Sequence, residues 1–548
     1  MQKITTLFLL GLGLYGYSQD ILWEKSYGGQ HAEYLFDAQP TADYGFILAG
    51  SSLSKKTGKK TEDNNGDLDF WLWKMDEKGQ DEWQKNIGGS GADLLQSIRT
   101  TQDGGFILAG TSESNKGFAK LHDGKGKEDY WIIKLNAKGD EQWQQTFGGS
   151  GQDRVTAVIQ TRDGGYFIGG SSSSSPDKKN LQDPTGKSEA SRGNLDYWVI
   201  KLDSKGKMEW QKTMGGQYAD ILESLQQTTD GGYILGGYSN SPSGVLEDGR
   251  RSDKTEEVLG YGDFWIVKLD AKGEEEWQQT LGGEGDDHLY SIIQTQDGNY
   301  IAAGNSNSNR LPKGGSTRDT DFWLIKLDEY GQPLWSRTYD FGKTDILTSL
   351  TENKDRTLMV GGYSKSSNVP GSKKKDKEGI NDYIALKLSA TGDELWSKTV
   401  GSNGEDLLKK LVETRDGGYI LAGTSTPNPA SVTAYNKGNS RDRNTAIGKN
   451  DFWVVKLLDK DKPKDNRLNI QAVPNPAQQF TNVIVGYEYN TGNPFVYDLG
   501  GRLLQSFAIE NRTVPVDLST YPEGIYIVQI KTDVQEDSVK VVKGIEKH

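Results

Sequence analysis

A unit of about sixty residues recurs seven times between Trp23 and Lys456, and nothing else in the chain constrains its fold as strongly. In one-letter form the unit reads W-x4-GG-x3-D, then T-x-DGG-Y-I-L-A-G-x-S, then a polar stretch, then D-[FY]-W-x2-K-L-D-x2-G. The leading tryptophans are Trp23, Trp83, Trp143, Trp210, Trp277, Trp335 and Trp396. The turn aspartates are Asp43, Asp103, Asp163, Asp230, Asp297, Asp355 and Asp416, and the Asp-aromatic pairs begin at Asp69, Asp129, Asp196, Asp263, Asp321, Asp382 and Asp451. Short strands repeated at a fixed long period indicate a propeller or a solenoid.

Each unit carries four strand signals. Ser97 to Ser112 reads as strand, Asp-Gly-Gly turn, strand, with glycine supplying the positive φ of a tight hairpin. Asp321 to Asp340 reads as a second hairpin, turned over Asp328 to Gly331 and re-entered at Trp335. In the third strand Trp323, Ile325 and Leu327 face one way and Phe322 and Leu324 the other, so both faces need cover. A blade wedged between two neighbours provides it. The repeats open on a fourth-strand signal (Ile21 to Gly29) and close on a third-strand signal (Asp451 to Leu457), so the last blade must borrow its fourth strand from the N-terminus. That split closes a ring and protects its edges. The fold expected is all-β: a seven-bladed β-propeller with split-blade closure over residues 19–457, followed by a small C-terminal β-sandwich.

Second strands ending in Gly-Gly or Ala-Gly, followed by an aromatic, a D-x-x-G turn and a tryptophan, resemble the kelch-type blade; Tyr233 to Ser239 and Phe264 to Trp277 show the spacing. The resemblance concerns architecture, and fold alone says little about activity.

Residues 1–18 combine Lys3, a short apolar core and small residues at Gly16 and Ser18. They read as a secretory signal peptide cleaved between Ser18 and Gln19. No later apolar run reaches the eighteen or so residues that a transmembrane segment needs. With no cysteine, the chain has no disulfide, thiolate metal site, cysteine nucleophile or lipoprotein attachment point.

After a charged linker, 458–467, the repeat stops, and residues 468–548 show the alternation of a small antiparallel sandwich. Val473 to Gln479, Val496 to Ser506, Val516 to Ile530 and Ser538 to Lys543 together resemble the type A sorting domain of the type IX secretion system of Bacteroidota. The matching positions are Pro474, Asn475 and Pro476, then Asp498, Gly500, Gly501 and Arg502, then Gly524, Tyr526 and Lys543. The resemblance implies type IX secretion machinery as partner and passage through the periplasm. It further implies cleavage of the domain, with release or attachment at the outer-membrane surface. An accessory binding sandwich is the other reading.

The turns on one face of such a propeller are all tight, whereas the second-to-third loops are long and variable, so irregular sequence collects on the opposite face, where binding residues concentrate. Those loops carry a charge of +9 in a chain of −13, leaving −22 for the remainder. A basic face suggests an anionic partner, with Lys373, Lys374, Lys375, Lys377, Arg441 and Arg443 as candidate ligand-binding residues. Solvated loops explain the same charge equally well.

Repeated polar residues have structural readings. Glu33, Asp93, Asp153, Asp220, Asp287, Asp345 and Asp406 can form a carboxylate ring for Ca²⁺, or each can bond amides of its own turn, which sevenfold recurrence favours. Lys74, Lys134, Lys201, Lys268, Lys326 and Lys456 are read as structural for the same reason. Asp63, Asn65 and Asp67 alternate as calcium-loop ligands do, without the expected glycine and glutamate, so a solvated acidic turn is favoured over Ca²⁺. All fourteen tryptophans sit at blade positions, which leaves Phe118, Tyr261 and Tyr435 as loop aromatics. Of four histidines, His31 and His288 are placed in equivalent fourth-to-first loops and His122 nearby; His288 is the candidate base or ligand, with no nucleophile motif beside it.

The expectation is a non-catalytic, exported binding or adhesion module for a glycan, lipopolysaccharide or protein. No nucleic-acid partner is expected. The alternatives are a secreted polysaccharide lyase or hydrolase and a structural surface-layer component.

Overall fold

The computed structural model describes residues 20–177, 180, 182–308, 319–366, 380–402, 404–426, 449–460, 469–477 and 479–544. All regular elements among them are β-strands. Seven four-stranded antiparallel sheets follow one another, numbered here by their first strands: Glu33–Pro40, Asp93–Thr100, Asp153–Gln160, Asp220–Gln227, Asp287–Gln294, Asp345–Glu352 and Glu405–Glu413. In sheets one to six the strands pair in chain order. In the seventh the outermost strand is the N-terminal Asp20–Tyr27, paired with Asp451–Leu458 from Asp20↔Leu458 to Tyr27↔Phe452. First strands of successive sheets touch, and that of the seventh touches that of the first. These repeated sheets make a β-propeller.

Local chemistry sets each hairpin. In the T-x-D-G-G turn the threonine hydroxyl and the amide two residues beyond the aspartate both donate to its Oδ1, as in Gly105 N to Asp103 Oδ1 at 3.1 Å and Gly165 N to Asp163 Oδ1 at 2.9 Å. Gly104, Gly164 and Gly231 hold φ of 78°, 82° and 91°, a region that favours glycine. The same aspartate pairs with the third-strand lysine, at 2.9 Å in Lys74–Asp43, Lys201–Asp163 and Lys268–Asp230, so the lysine reading holds. Lys387 reaches its turn aspartate Asp355 only at 4.0 Å and bonds Asp459 more closely, at 2.9 Å.

Third strands are buried on both faces, as two-sided cover requires; Asp69–Met75, Asp129–Leu135 and Asp263–Leu269 are buried at every position. Core clusters draw on adjacent sheets, joining Ile47 and Phe70 of the first to Leu95 and Trp131 of the second. Tyr130 and Tyr197 donate to Trp198 O and Trp265 O of the next sheet at 3.2 and 3.0 Å. Each large apolar side chain so buried contributes about 1.5–3 kcal/mol.

The C-terminal region forms two antiparallel sheets around one core: Ile470–Val473, Phe480–Val485 and Thr513–Asp517, against Leu503–Ser506, Gly492–Asp498, Gly524–Thr532 and Glu536–Lys543. It meets the tight-turn side of the seven sheets. Arg512 pairs with Glu77 at 3.4 Å and Arg415 Nη2 donates to Gln471 at 2.8 Å. A cleft of about 510 Å³ between them is lined by Thr41, Asp43, Arg99, Phe106, Pro474 and Thr513.

Candidate functional site

The innermost strands separate structure from variation within one molecule. One position per first strand is uniformly aliphatic and buried: Leu35, Leu95, Val155, Leu222, Leu289, Leu347 and Leu408. The next residue on each strand is left unpaired by a β-bulge that recurs in all seven first strands. It reads Phe36, Gln96, Thr156, Glu223, Tyr290, Thr348 and Lys409, six residue types over seven copies of one position. The fold does not dictate this row. It is the row a ligand would use.

Two sheets concentrate its chemistry. His288 stacks on Tyr238 with ring centroids 4.9 Å apart and on Tyr290 at 4.4 Å, at 18° and 16°. Its Nε2 lies 3.1 Å from Glu223 Oε1. Tyr238 OH donates to Tyr261 O at 3.3 Å, and Tyr261 itself is 79% exposed, with Leu259, Val245 and Tyr218 exposed on the same loop side. Burial lowers the pKa of Lys409, and the Glu223 carboxylate opposes that shift. An aromatic shelf beside a carboxylate can stack on a sugar ring and accept from its hydroxyls.

His288 is thus the second residue of the strand Asp287–Gln294, not a loop residue, and it is not equivalent to His31, which precedes the strand Glu33–Pro40. Strand pairing begins at the aspartate, at Asp93 in the second sheet, four positions before the Ser97 start read from the sequence. Glu223, Tyr238 and Tyr290 escaped the sequence reading altogether. Comparing the seven copies position by position along the first strand would have exposed Glu223 and Tyr290.

The repeated carboxylates are structural. Glu33, Asp93, Asp153, Asp220, Asp287, Asp345 and Asp406 each accept an amide of their own turn, from 2.5 Å at Ser402 N to 3.1 Å at Gly29 N. Burial raises the third-strand aspartates, Asp129, Asp196 and Asp263 to about 6 and Asp382 to about 7, and neighbouring carboxylates add to it.

The basic face needs correction among the described loops. Lys60, Lys120, Lys187 and Lys254, counted as loop charge, are at most 3% exposed. Lys120 Nζ donates to Ser112 Oγ and Ser114 O at 2.7 and 2.8 Å, and Lys187 Nζ to Ser172 Oγ at 2.7 Å. Burial pulls Lys60 and Lys187 down to about 8, against the pull of nearby carboxylates. These cations neutralise buried aspartates and offer nothing to a ligand. Lys373, Lys374, Lys375, Lys377, Arg441, Arg443 and Tyr435 lie outside the described residues.

The calcium-loop candidates bond within their own loop and to the adjoining connection. Asp63 Oδ1 accepts Lys56 N at 2.9 Å, and Asn65 donates to Gly88 O at 3.4 Å. Asp67 donates its amide to Gly91 O at 3.4 Å.

The C-terminal motifs clamp their domain together. Asn475 donates to Lys540 O at 2.7 Å and accepts Val542 N at 2.9 Å, tying the Pro474–Pro476 segment to the last strand. Asp498 accepts Arg502 N and Nε at 2.9 and 3.1 Å across a turn where Gly501 has φ 79°. Lys543 Nζ reaches Leu518 O and Tyr521 O at 2.7 and 2.5 Å, and Tyr526 OH donates to Pro522 O at 2.5 Å. Gly500 is exposed at a turn, and Gly524 is exposed at the start of the strand Gly524–Thr532.

Residues 471–544 match the secretion system C-terminal sorting domain family. A type IX sorting domain therefore ends the repeats, and the protein is exported, to be secreted or held at the outer-membrane surface. Among curated proteins, the regulatory protein FlaEY of Caulobacter vibrioides is 22% identical over 325 residues, which cover 55% of this chain. The match spans only 32% of FlaEY. Among solved structures, Sqt1 from Chaetomium thermophilum aligns at 11% identity over 80% of this chain and 99% of its own, with a TM-score of 0.41. The Neurospora crassa Pan2 WD40 domain aligns at 9% identity over 80% and 92%, with a TM-score of 0.41. No described helix is long and apolar enough to cross a membrane.

Proposed function

We propose that this protein is an exported, non-catalytic glycan-binding module that takes its ligand on the long-loop side of the propeller, at the Tyr238–His288–Tyr290 shelf beside Glu223. The observation that carries this reading is the sheer variety of the first-strand row, in which one aromatic and acidic cluster stands where the fold asks for no particular residue. The organisation that supports it is a signal peptide at 1–18, a closed seven-bladed ring with kelch-like spacing at 19–457, a linker at 458–467 and a sorting sandwich at 468–548, as in Bacteroidota. The ring places its long loops outward while the sorting domain occupies the tight-turn side. Lipopolysaccharide at the outer membrane is one surface glycan within this reading. A protein partner would need a broader contact than the shelf.

The Glu223–His288 contact of 3.1 Å supports a second reading, a polysaccharide lyase or hydrolase, because a carboxylate-oriented imidazole can act as a base. One experiment separates the two. Purified protein is titrated calorimetrically with a panel of neutral and acidic polysaccharides while the same mixtures are assayed for new reducing ends and unsaturated products. Binding without turnover, weakened at least tenfold by Tyr290→Ala, is expected. Turnover abolished by His288→Ala would replace the binding module with the enzyme, and undiminished binding by Tyr290→Ala would move the site elsewhere.

A further inference from the structure

Six of the seven junctions between sheets share a glycine held there by sterics. A Cβ on Gly28, Gly88, Gly148, Gly215, Gly282 or Gly401 would fall within 3.0 Å of the aspartate that opens the third strand of the same sheet. The junction between sheets five and six breaks this rule. After the strand Pro333–Tyr339 the chain carries Asp340 in that place.

The exchange adds a third carboxylate to a pair that every junction already has. One oxygen each from Asp321, Asp340 and Asp345 lie within 4.8 Å of one another, the one such group of three among the described residues. Asp340 is exposed, whereas Asp321 and Asp345 are buried. The Oδ2 of Asp345 accepts Phe341 N at 2.7 Å and Gly342 N at 3.3 Å, but its buried Oδ1 has no hydrogen-bond partner. A side chain outside the trio tells the same story. In sheets one, three, four and seven the serine across from the first-strand carboxylate donates to it, through Ser52, Ser172, Ser239 and Ser425. Its counterpart Ser364 is 1% exposed and faces Asp345 across the strand pair, yet its hydroxyl completes no bond of normal geometry. Asp93 and Asp287 leave the same Oδ1 unpaired, so the buried Ser364 hydroxyl is what is left over only at the junction that carries an extra negative charge. Among the described residues no lysine or arginine is paired with Asp340 or Asp345.

We propose that the Asp321–Asp340–Asp345 junction is a Ca²⁺ site, reached from solvent past Asp340. The donors are all hard oxygens with no imidazole or thiolate among them, which selects Ca²⁺ over zinc or copper. Three carboxylates and the Ser364 hydroxyl furnish part of the six to eight oxygens Ca²⁺ takes, and water fills the exposed side. The ion ties the fifth sheet to the sixth and is separate from the glycan shelf.

Asp340→Gly tests this, because it installs the residue the other six junctions carry, and the fold has no reason to fail. Chelator-treated full-length protein is titrated with CaCl₂ by calorimetry and followed by thermal unfolding, with MgCl₂ as control. The wild type should bind with Kd of roughly 10⁻⁴–10⁻³ M, as extracellular modules do, and at tenfold excess over Kd its Tm should rise by about 2 °C. Asp340→Gly should lose one bound Ca²⁺ per chain and that rise. A variant that keeps the full stoichiometry and shift, or a wild type that answers neither by heat nor by Tm, overturns the site. An equal response to Mg²⁺ would overturn its identity as calcium.

Discussion

Lysines from one class of loop behave in two opposite ways, and the difference is where the amine ends. Lys120 reaches inward to Ser112 Oγ and Ser114 O between Asp93 and Asp129, whereas Lys127, seven residues on, stays in water. Replacing Lys120 with Met should strip Ser114 O of its side-chain donor and two buried carboxylates of their cation, while Ser112 Oγ keeps the Ser114 amide. A loss of about 3 kcal/mol is expected, the scale of breaking a buried ion pair. Lys127→Ala should stay within about 0.5 kcal/mol, as exposed substitutions usually do. Urea unfolding of both variants checks the pair; equal stability would mean that Lys120 neutralises nothing. Counting charges along a loop cannot make this distinction. It treats as surface what the chain has folded under.

At the scale of the element, the N-terminal strand is the test case. Asp20–Tyr27 contributes only partly buried side chains along most of its length, yet it covers the open hydrogen-bonding edge of Asp451–Leu458. An uncovered edge next to a fully apolar strand is a template for another chain. Protein beginning after Tyr27 should therefore form dimers and larger species on size-exclusion chromatography and lose Tm; a monomer of unchanged Tm would show that the strand is dispensable. This closure was readable in the sequence, because the phase of Trp23 against Asp451 leaves one strand over at each end. Strands, hairpins and core were readable for the same reason: apolar spacing and the D-G turn repeat seven times, so accidents cancel. The shelf was not. Glu223, Tyr238, His288 and Tyr290 come from strands sixty-odd residues apart, joined only when sheets four and five pack, and repetition hides the residues that differ. The Asp340 junction was missed likewise, since a consensus written as two glycines conceals the copy that lacks them.

On the scale of the whole molecule, two bodies with different tasks share one chain. The seven sheets close on themselves using residues up to Leu458, and the C-terminal domain has a separate core built from Val483, Val496, Val514 and Val528 among others. Between them the described contacts are polar and few, such as Arg512–Glu77 and Arg415–Gln471. Such an interface is dispensable to folding, because each side already buries its own apolar surface. The sorting domain in turn spends its characteristic residues on holding itself together: Asn475 on the last strand, Lys543 on three carbonyls, Asp498 on its turn. Truncation after Leu468 should thus leave a folded propeller, with far-UV spectrum and polysaccharide binding intact, that is retained in the periplasm of its host. Asn475→Ala, which removes both bonds to the final strand, should lower the exported fraction through loosening of the domain without touching propeller stability. Fractionation with immunodetection reads both variants. Normal levels of the truncated chain outside the cell would mean that export is directed by the propeller, and a truncated chain that no longer folds would mean that the polar contacts at Arg512 and Arg415 are part of one core.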